Sequence, residues 1–323
     1  MTGTATSGNG DVSPDAGVPA RTSGVDPSWR GGRRPNVVAI GGGHGLAVTL
    51  RAAKAYASEL TAVVSVADDG GSSGRLRQEL GIPPPGDLRK CLAALASPSS
   101  PLLAVMEHRF AAGGLNGHPL GNVLLAGFFQ VMGDTQAGID VTAELLGVEG
   151  RVLPATSVAP RLVADSARGT VRGQSAIMAT EGIERVYHEP FCPPVSREVI
   201  ASISEADQVI IGPGSLYTSV LAAAAVPEIA ATISSSGAQR VYVANLRAQA
   251  RETEGYDLAA HVASLERHGI EVDVVLGDPS GIDLGTLAHP RVVLADLARS
   301  NGLAHDSARL ATQLSGLLGY GPA

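Results

Sequence analysis

Five stretches of this 323-residue chain combine residue types that can bind or activate a ligand. The first joins Val37-Val38-Ala39-Ile40 to Gly41-Gly42-Gly43-His44-Gly45. A glycine turn between a buried strand and a helix start lets backbone N–H groups and the positive helix end face a phosphate. It is not the G-x-G-x-x-G dinucleotide fingerprint, because the third glycine falls on Leu46 or Val48. No Gly-Lys-Ser/Thr follows, so it is not a Walker A loop either. The second stretch is Asp68-Asp69-Gly70-Gly71-Ser72-Ser73-Gly74. Its two carboxylates suit ribose hydroxyls or a divalent cation, and the serine hydroxyls and glycine amides suit a phosphate or sugar. Capping by Ser72 or Ser73 is the plainer reading, yet a cap requires neither two Asp nor three Gly.

Third, Pro83-Pro84-Pro85-Gly86-Asp87 opens a helix carrying Arg89. Asp87 reads as an N-cap. A cation at Arg89, in the first turn, opposes the helix dipole unless an anion lies nearby. Fourth, Asn116-Gly117-His118-Pro119-Leu120-Gly121-Asn122 breaks the chain before an apolar helix. His118 there is a candidate phosphate donor or general acid/base, set against an equally weighted structural role. Asn122 is a ligand candidate or a simple helix-start residue. Fifth, Gly212-Pro213-Gly214-Ser215-Leu216-Tyr217-Thr218-Ser219 repeats the strand–glycine–helix theme, with Ser215 and Thr218 as donors. Two such loops in one sheet suit a ligand with two handles, such as a nucleotide diphosphate sugar. Zincin, thiol-redox and serine-hydrolase motifs are absent.

These loops need a frame that brings strand ends together, and the pattern supplies one. Short strands are predicted at 37–40, 61–66, 208–211, 240–244, 272–276 and 292–294. Helices are predicted at 46–56, 73–80, 87–96, 102–110, 121–133, 142–146, 216–225, 256–268 and 306–317. This alternation predicts an α/β, Rossmann-like three-layer fold with a mostly parallel sheet. Strand-like runs at 151–158, 161–165, 170–172 and 183–187 predict a small β-rich insertion over about 151–190. Residues 1–35 are rich in Gly, Ser, Thr, Asp and Pro and read as a disordered leader before a single domain over 36–323. In parallel sheets ligands bind beyond the carboxyl ends of the strands, where the glycine loops fall.

Composition narrows the classes. Thirty-one acidic against 24 basic residues give a net charge of −7, which argues against coating nucleic acid. Two cysteines cannot build a disulfide framework. No apolar run reaches the roughly 18 residues a membrane span needs, so no span is expected and the cytoplasm is the default. Forty glycines, about 12% of the chain, exceed the usual share of about 7% and have no collagen period.

Read together, the runs Ile40–Leu46, Val66–Leu76, Pro84–Arg89, Gly117–Asn122 and Ile211–Ser219 resemble the YvcK group of gluconeogenesis factors, within the CofD-like (2-phospho-L-lactate transferase) superfamily. The segment Asn245–Tyr256, with Gln249, Glu252, Thr253 and Gly255, extends the likeness. The resemblance implies a regulatory protein that binds UDP-sugars, supports cell shape and cell-wall homeostasis on gluconeogenic carbon, and has no established turnover. It implies that Asn245 and Tyr256 join the site and that Asp69 lies near a metal-binding aspartate. His44 stands where many members carry Thr, and Ala250-Arg251 where Pro-Gly is expected. A Mg²⁺-dependent transferase is the second reading. An NAD-linked oxidoreductase and an interaction scaffold recruiting through the leader are further ones. Nucleotide ligand, possible Mg²⁺ and a possible homo-oligomer are the expected partners.

Overall fold

The structure is a computed structural model that describes residues 33–287 and 290–319. Most of the expected leader, residues 1–32, lies outside the described residues, as does His289.

The chain opens with β1 (Asn36–Gly41), α1 (Gly43–Ala53) and β2 (Glu59–Val64). Five helices follow: α2 (Gly71–Leu80), α3 (Gly86–Leu95), α4 (Leu102–Glu107), α5 (Leu120–Met132) and α6 (Thr135–Leu146). Then come β3 (Arg151–Pro154), β4 (Arg161–Ser166), β5 (Gly169–Arg172), α7 (Gln174–Met178) and β6 (Ile183–Glu189). The second half holds α8 (Arg197–Ser204), β7 (Gln208–Ile211), a π-helical turn (Leu216–Val220), α9 (Leu221–Ala224) and α10 (Pro227–Ser235). It ends with β8 (Gln239–Val243), α11 (Leu258–Arg267), β9 (Val274–Gly277), β10 (Arg291–Leu294) and α12 (Ser307–Leu317).

Seven strands form one sheet in the order β10-β9-β8-β7-β1-β2-β3, with every neighbouring pair parallel. The three-layer parallel fold expected from the alternation is therefore present. β1 shows how period 2 builds two cores. Val37 and Ala39 face the layer holding α1, α3 and α12, while Val38 and Ile40 face the layer holding α8 to α11. The chain builds outward from β1 through β2 and β3, then returns to its other side with β7. The switch point therefore lies between the carboxyl ends of β1 and β7.

β4, β5 and β6 form a separate antiparallel sheet in the order β5-β4-β6. The run at 151–158 divides from it: β3 pairs with β2 at the edge of the main sheet. α10 was not foreseen, because Pro227 and Glu228 look like a break. Proline is tolerated in the first helical turn, where its missing N–H has no intrahelical partner, and Pro227 begins α10. Among the described residues no single helix is long and apolar enough to cross a membrane. An apolar pair of adjoining helices, Leu216–Ala224 and Pro227–Ser235, is bent by 72° and places Leu216, Val220, Leu221, Ile229 and Ile233 in the core.

Candidate functional site at the switch point

The β1–α1 and β7 loops meet closely. A Cβ added to Gly45 would lie 2.1 Å from the Pro213 carbonyl oxygen, and one on Gly42 would lie 2.5 Å from an Asp87 carboxylate oxygen. Real Cβ atoms do not approach backbone this near, so the chain passes Pro213 only with glycine at 45, whereas the Gly42 contact is with a side-chain end. Gly43 takes φ 67°, a left-handed value that starts α1, while Gly41 ends β1. Across the cleft, Gly214 is held on both sides by one side chain. Its N–H donates to Asn245 Oδ1 (2.9 Å), and Asn245 Nδ2 donates back to its carbonyl (2.8 Å). His44, Gly45, Pro213, Gly214 and Asn245 thus share one wall system around a cavity of about 230 Å³.

Beside it, at the carboxyl end of β2, lies an acidic pair, Asp68 and Asp87. Asp87 is buried and accepts a 2.9 Å bond from Lys90 Nζ. Asp68 is half-buried and accepts from the Gly70 N–H at 2.9 Å. Burial pushes the Asp68 carboxyl above its ordinary value, and the nearby Asp87 charge adds to this. Burial also lowers the His44 pKa, with the Lys90 charge as the next cause. Ser73 Oγ accepts from the Gly86 N–H (3.1 Å), which ties α2 to α3 beside this pair.

A third group forms a buried polar chain behind α2. Arg89 Nε donates to Asn122 Oδ1 (3.0 Å), Asn122 Nδ2 donates to Ser72 Oγ (3.0 Å), and Ser72 Oγ lies 2.8 Å from His118 Nδ1. Ser72 Oγ accepts from Asn122 and pairs with Nδ1, which holds the His118 ring in place. Burial lowers the His118 pKa, and Arg75 lowers it further. The four residues therefore act as one unit. Arg89, a candidate for a ligand anion, anchors this chain through its bond to Asn122.

Several expectations are corrected by geometry. Ser72 and Ser73 do not cap α2; Gly70 occupies that position without a side-chain bond, and both serines sit inside the helix. Asp87 lies within the first turn of α3, after Pro85 at the N-cap. Asp69 is engaged elsewhere: its Oδ1 accepts from the Ser175 N–H (2.8 Å) and Oγ (2.7 Å) at the start of α7. The carboxylate placed beside Asp87 is Asp68. Gly74 is fixed by packing, since its Cβ would lie 1.9 Å from the Asp69 carbonyl oxygen. Thr218 is fully buried and bonds an internal anion. Glu252 accepts from the Tyr217 N–H (2.7 Å), the Thr218 N–H (3.0 Å) and the Thr218 hydroxyl. The helix start at Leu216 thus already carries a carboxylate from its own chain, at the end where an anion is favoured. Tyr256 lies one cavity further on, its hydroxyl 3.0 Å from that of Tyr217.

Three contributors were absent from the sequence-derived set of site residues: Lys90, Gln249 and His305. The i, i+3 spacing of Asp87 and Lys90 was a usable signal. Gln249 Nε2 donates to Ser215 Oγ (2.8 Å), a pairing across 34 positions that spacing does not reveal. His305 reads only as a residue before a helix.

The acidic pair also bounds what metal chemistry fits. Among the described residues no group of three or more His, Cys, Asp or Glu is placed to hold a metal ion. Mg²⁺ commonly binds one or two carboxylates plus substrate phosphates, and Asp68 with Asp87 matches that mode rather than an all-protein cage.

The fold and the cleft place the chain in a known class. The family model described as 2-phospho-L-lactate transferase CofD matches residues 37–313, and the chain belongs to that family. Within it, this protein is similar to the gluconeogenesis factors. The protein of that name from Halalkalibacterium halodurans is 45% identical over 76% of this chain and 79% of its own. The one from Bacillus subtilis is 43% identical over 73% of this chain and 76% of its own. A crystal structure of a UPF0052 family member from Bacillus halodurans superposes with a TM-score of 0.83 at 37% identity, covering 87% of this chain and 99% of that one.

Proposed function

We propose that the switch-point cleft binds a nucleoside diphosphate sugar, a UDP-sugar, and that the protein acts as a cytoplasmic regulator without turnover, tying gluconeogenic carbon to cell-wall and shape homeostasis. One observation carries the reading. The β1–α1 and β7 loops approach so closely at Gly45 and Pro213 that no Cβ fits, and this brings two strand-end turns against one cavity at the switch point between β1 and β7. The names of the relatives support the link to gluconeogenesis. A thermal-shift screen of UDP-sugars, NAD, GTP and a deazaflavin, with and without Mg²⁺, tests it. A ligand at 100 times its Kd adds about 2.7 kcal/mol of stability. A shift with UDP-sugars alone is expected; a shift with NAD alone would contradict the reading.

The acidic pair favours a second reading, a Mg²⁺-dependent transferase. Asp68 and Asp87 would hold the cation against ligand phosphates, and the cation would supply charge neutralisation there. The test is Asp68→Asn. Loss of a Mg²⁺-dependent component of binding supports this reading, and unchanged binding with and without Mg²⁺ removes it.

A further inference from the structure

A hollow of about 400 Å³ lies between β6 and the helices α10 and α11, and it shares no lining residue with the cavity at the switch point. β6 is an edge strand: in the order β5-β4-β6 it has a strand on one side only. The Val186 N–H donates to His268 Nε2 (2.9 Å), so at this residue the backbone points away from β4. Backbone groups of an antiparallel strand alternate in direction. His188, two residues on and still in register with Leu162, therefore also turns its N–H and carbonyl away from β4. Leu162 agrees, since its carbonyl accepts from the Gly173 N–H beyond β5 (2.8 Å). Val186 and His188 both line the hollow. An edge of this kind is a template for one more strand. Here it is short, because His268 holds the Val186 N–H and Pro190 has no N–H to give.

The charge around this edge has one sign. Arg185 and Arg267 line the hollow, and no carboxylate does. Among the described residues Arg185 makes no ion pair, and Arg267 Nη2 donates to Ser264 Oγ (2.8 Å). Both charges lie near enough to lower the His268 pKa. His268 itself is neutral, since Nδ1 donates to the Ser264 carbonyl (2.6 Å) while Nε2 accepts from Val186. In a chain of net charge −7, two arginines beside one hollow without an acid complement an anionic partner. The remaining wall is apolar. Ala225, Pro227, Ala230 and Ala231 line it, and Phe191 stands at its rim with 54% of its surface exposed.

We propose that β6 takes up an extended acidic peptide of a partner protein as an added strand. The peptide backbone bonds the Val186 carbonyl and the His188 N–H and carbonyl. Its carboxylates meet Arg185 and Arg267, and its apolar side chains lie against Phe191 and the alanines of the α10 wall. In strand addition the main-chain bonds give affinity, and the side-chain contacts give specificity. The site is separate from the switch-point cleft and stands or falls independently of the nucleotide reading.

Fluorescence polarisation on the full chain tests this with three labelled hexapeptides. One alternates Val and Glu, one alternates Val and Lys, and the third is the Val-Glu peptide with every backbone nitrogen methylated. The Val-Glu peptide is expected to bind at least about tenfold more tightly than either control, the margin that one charge-assisted bond gives. Arg185→Glu should weaken it by a similar factor. Hydrogen exchange at the His188 amide should slow when the peptide is bound. The three peptides are compared on the wild-type protein, so the test survives a variant that fails to fold. No Val-Glu binding at millimolar peptide overturns the proposal. Binding that neither Arg185→Glu nor backbone methylation weakens lies elsewhere on the surface and overturns it too. Inorganic phosphate that displaces the peptide without slowing exchange at His188 would make the hollow a small-anion site. Protection of His188 that rises with protein concentration alone would make the occupant a second copy. Either result overturns strand addition by a partner peptide.

Discussion

Gly45 carries the tightest constraint in the cleft. Its missing Cβ admits the Pro213 carbonyl, so Gly45→Ala must push the β1 and β7 loops apart. Overpacking of this kind costs about 1–3 kcal/mol. We expect Gly45→Ala to lower urea stability by that order and to weaken nucleotide binding at least about tenfold by calorimetry; an unchanged affinity would show that the two loops do not share a ligand. The importance of Gly45 and Gly74 was legible in the sequence, because a backbone contact that forbids a side chain leaves glycine as its trace. The role of Thr218 was not. A buried threonine bonding Glu252 and one facing a ligand are written with the same letter, and the partner lies 34 positions away. Asp68 and Asp69 make the same point, since neighbouring residues in an extended segment face opposite ways.

At the scale of elements, the π-helical turn Leu216–Val220 depends on Glu252. One carboxylate bonds the N–H groups of Tyr217 and Thr218 from a loop beyond β8, which ties the β7 loop to the Gln249 region of the cleft. Burial pushes the Glu252 carboxyl up, while the Thr218 and Tyr217 N–H bonds pull it down. Glu252→Ala removes the acceptor and leaves buried donors unmet, each costing about 1–3 kcal/mol. A fall in thermal midpoint is expected, together with faster hydrogen exchange at Tyr217 and Thr218. Unprotected amides in the wild type would contradict the assignment. Elements with strong periodicity were legible, and their ends less so. α6 begins at Thr135 rather than 142, because the Asp134 side chain caps it by accepting from the Ala137 N–H. β3 left the expected insertion for the main sheet, because strand partners are set by tertiary packing rather than by local sequence.

The whole molecule joins a parallel sheet to a small antiparallel one, and His188 spans that junction. Its Nε2 lies 3.0 Å from the Ala222 carbonyl, linking β6 to α9, while its Nδ1 is buried and unpartnered. Burial lowers its pKa to about 4. The unfolded chain therefore takes up the proton first as pH falls below about 6.5, and stability drops from there until the folded ring titrates. Urea unfolding at pH 7 and pH 5 should differ by about 2 kcal/mol from this group alone. His188→Gln should lose that share, and an unchanged pH dependence would exclude it. The parallel architecture was legible from alternating strands and helices, and the location of the cleft followed from the rule for parallel sheets. A larger cavity of about 610 Å³ opens at the amino end of β2 and β3, around Lys54, Glu59 and Glu149, away from the glycine loops. The most direct measurement for the central claim is titration calorimetry of the full chain with UDP-N-acetylglucosamine, repeated on Gly45→Ala. Saturable one-site binding that Gly45→Ala weakens at least about tenfold is the expected result; no heat at millimolar ligand, or equal binding by both proteins, would contradict a nucleotide-sugar site between β1 and β7.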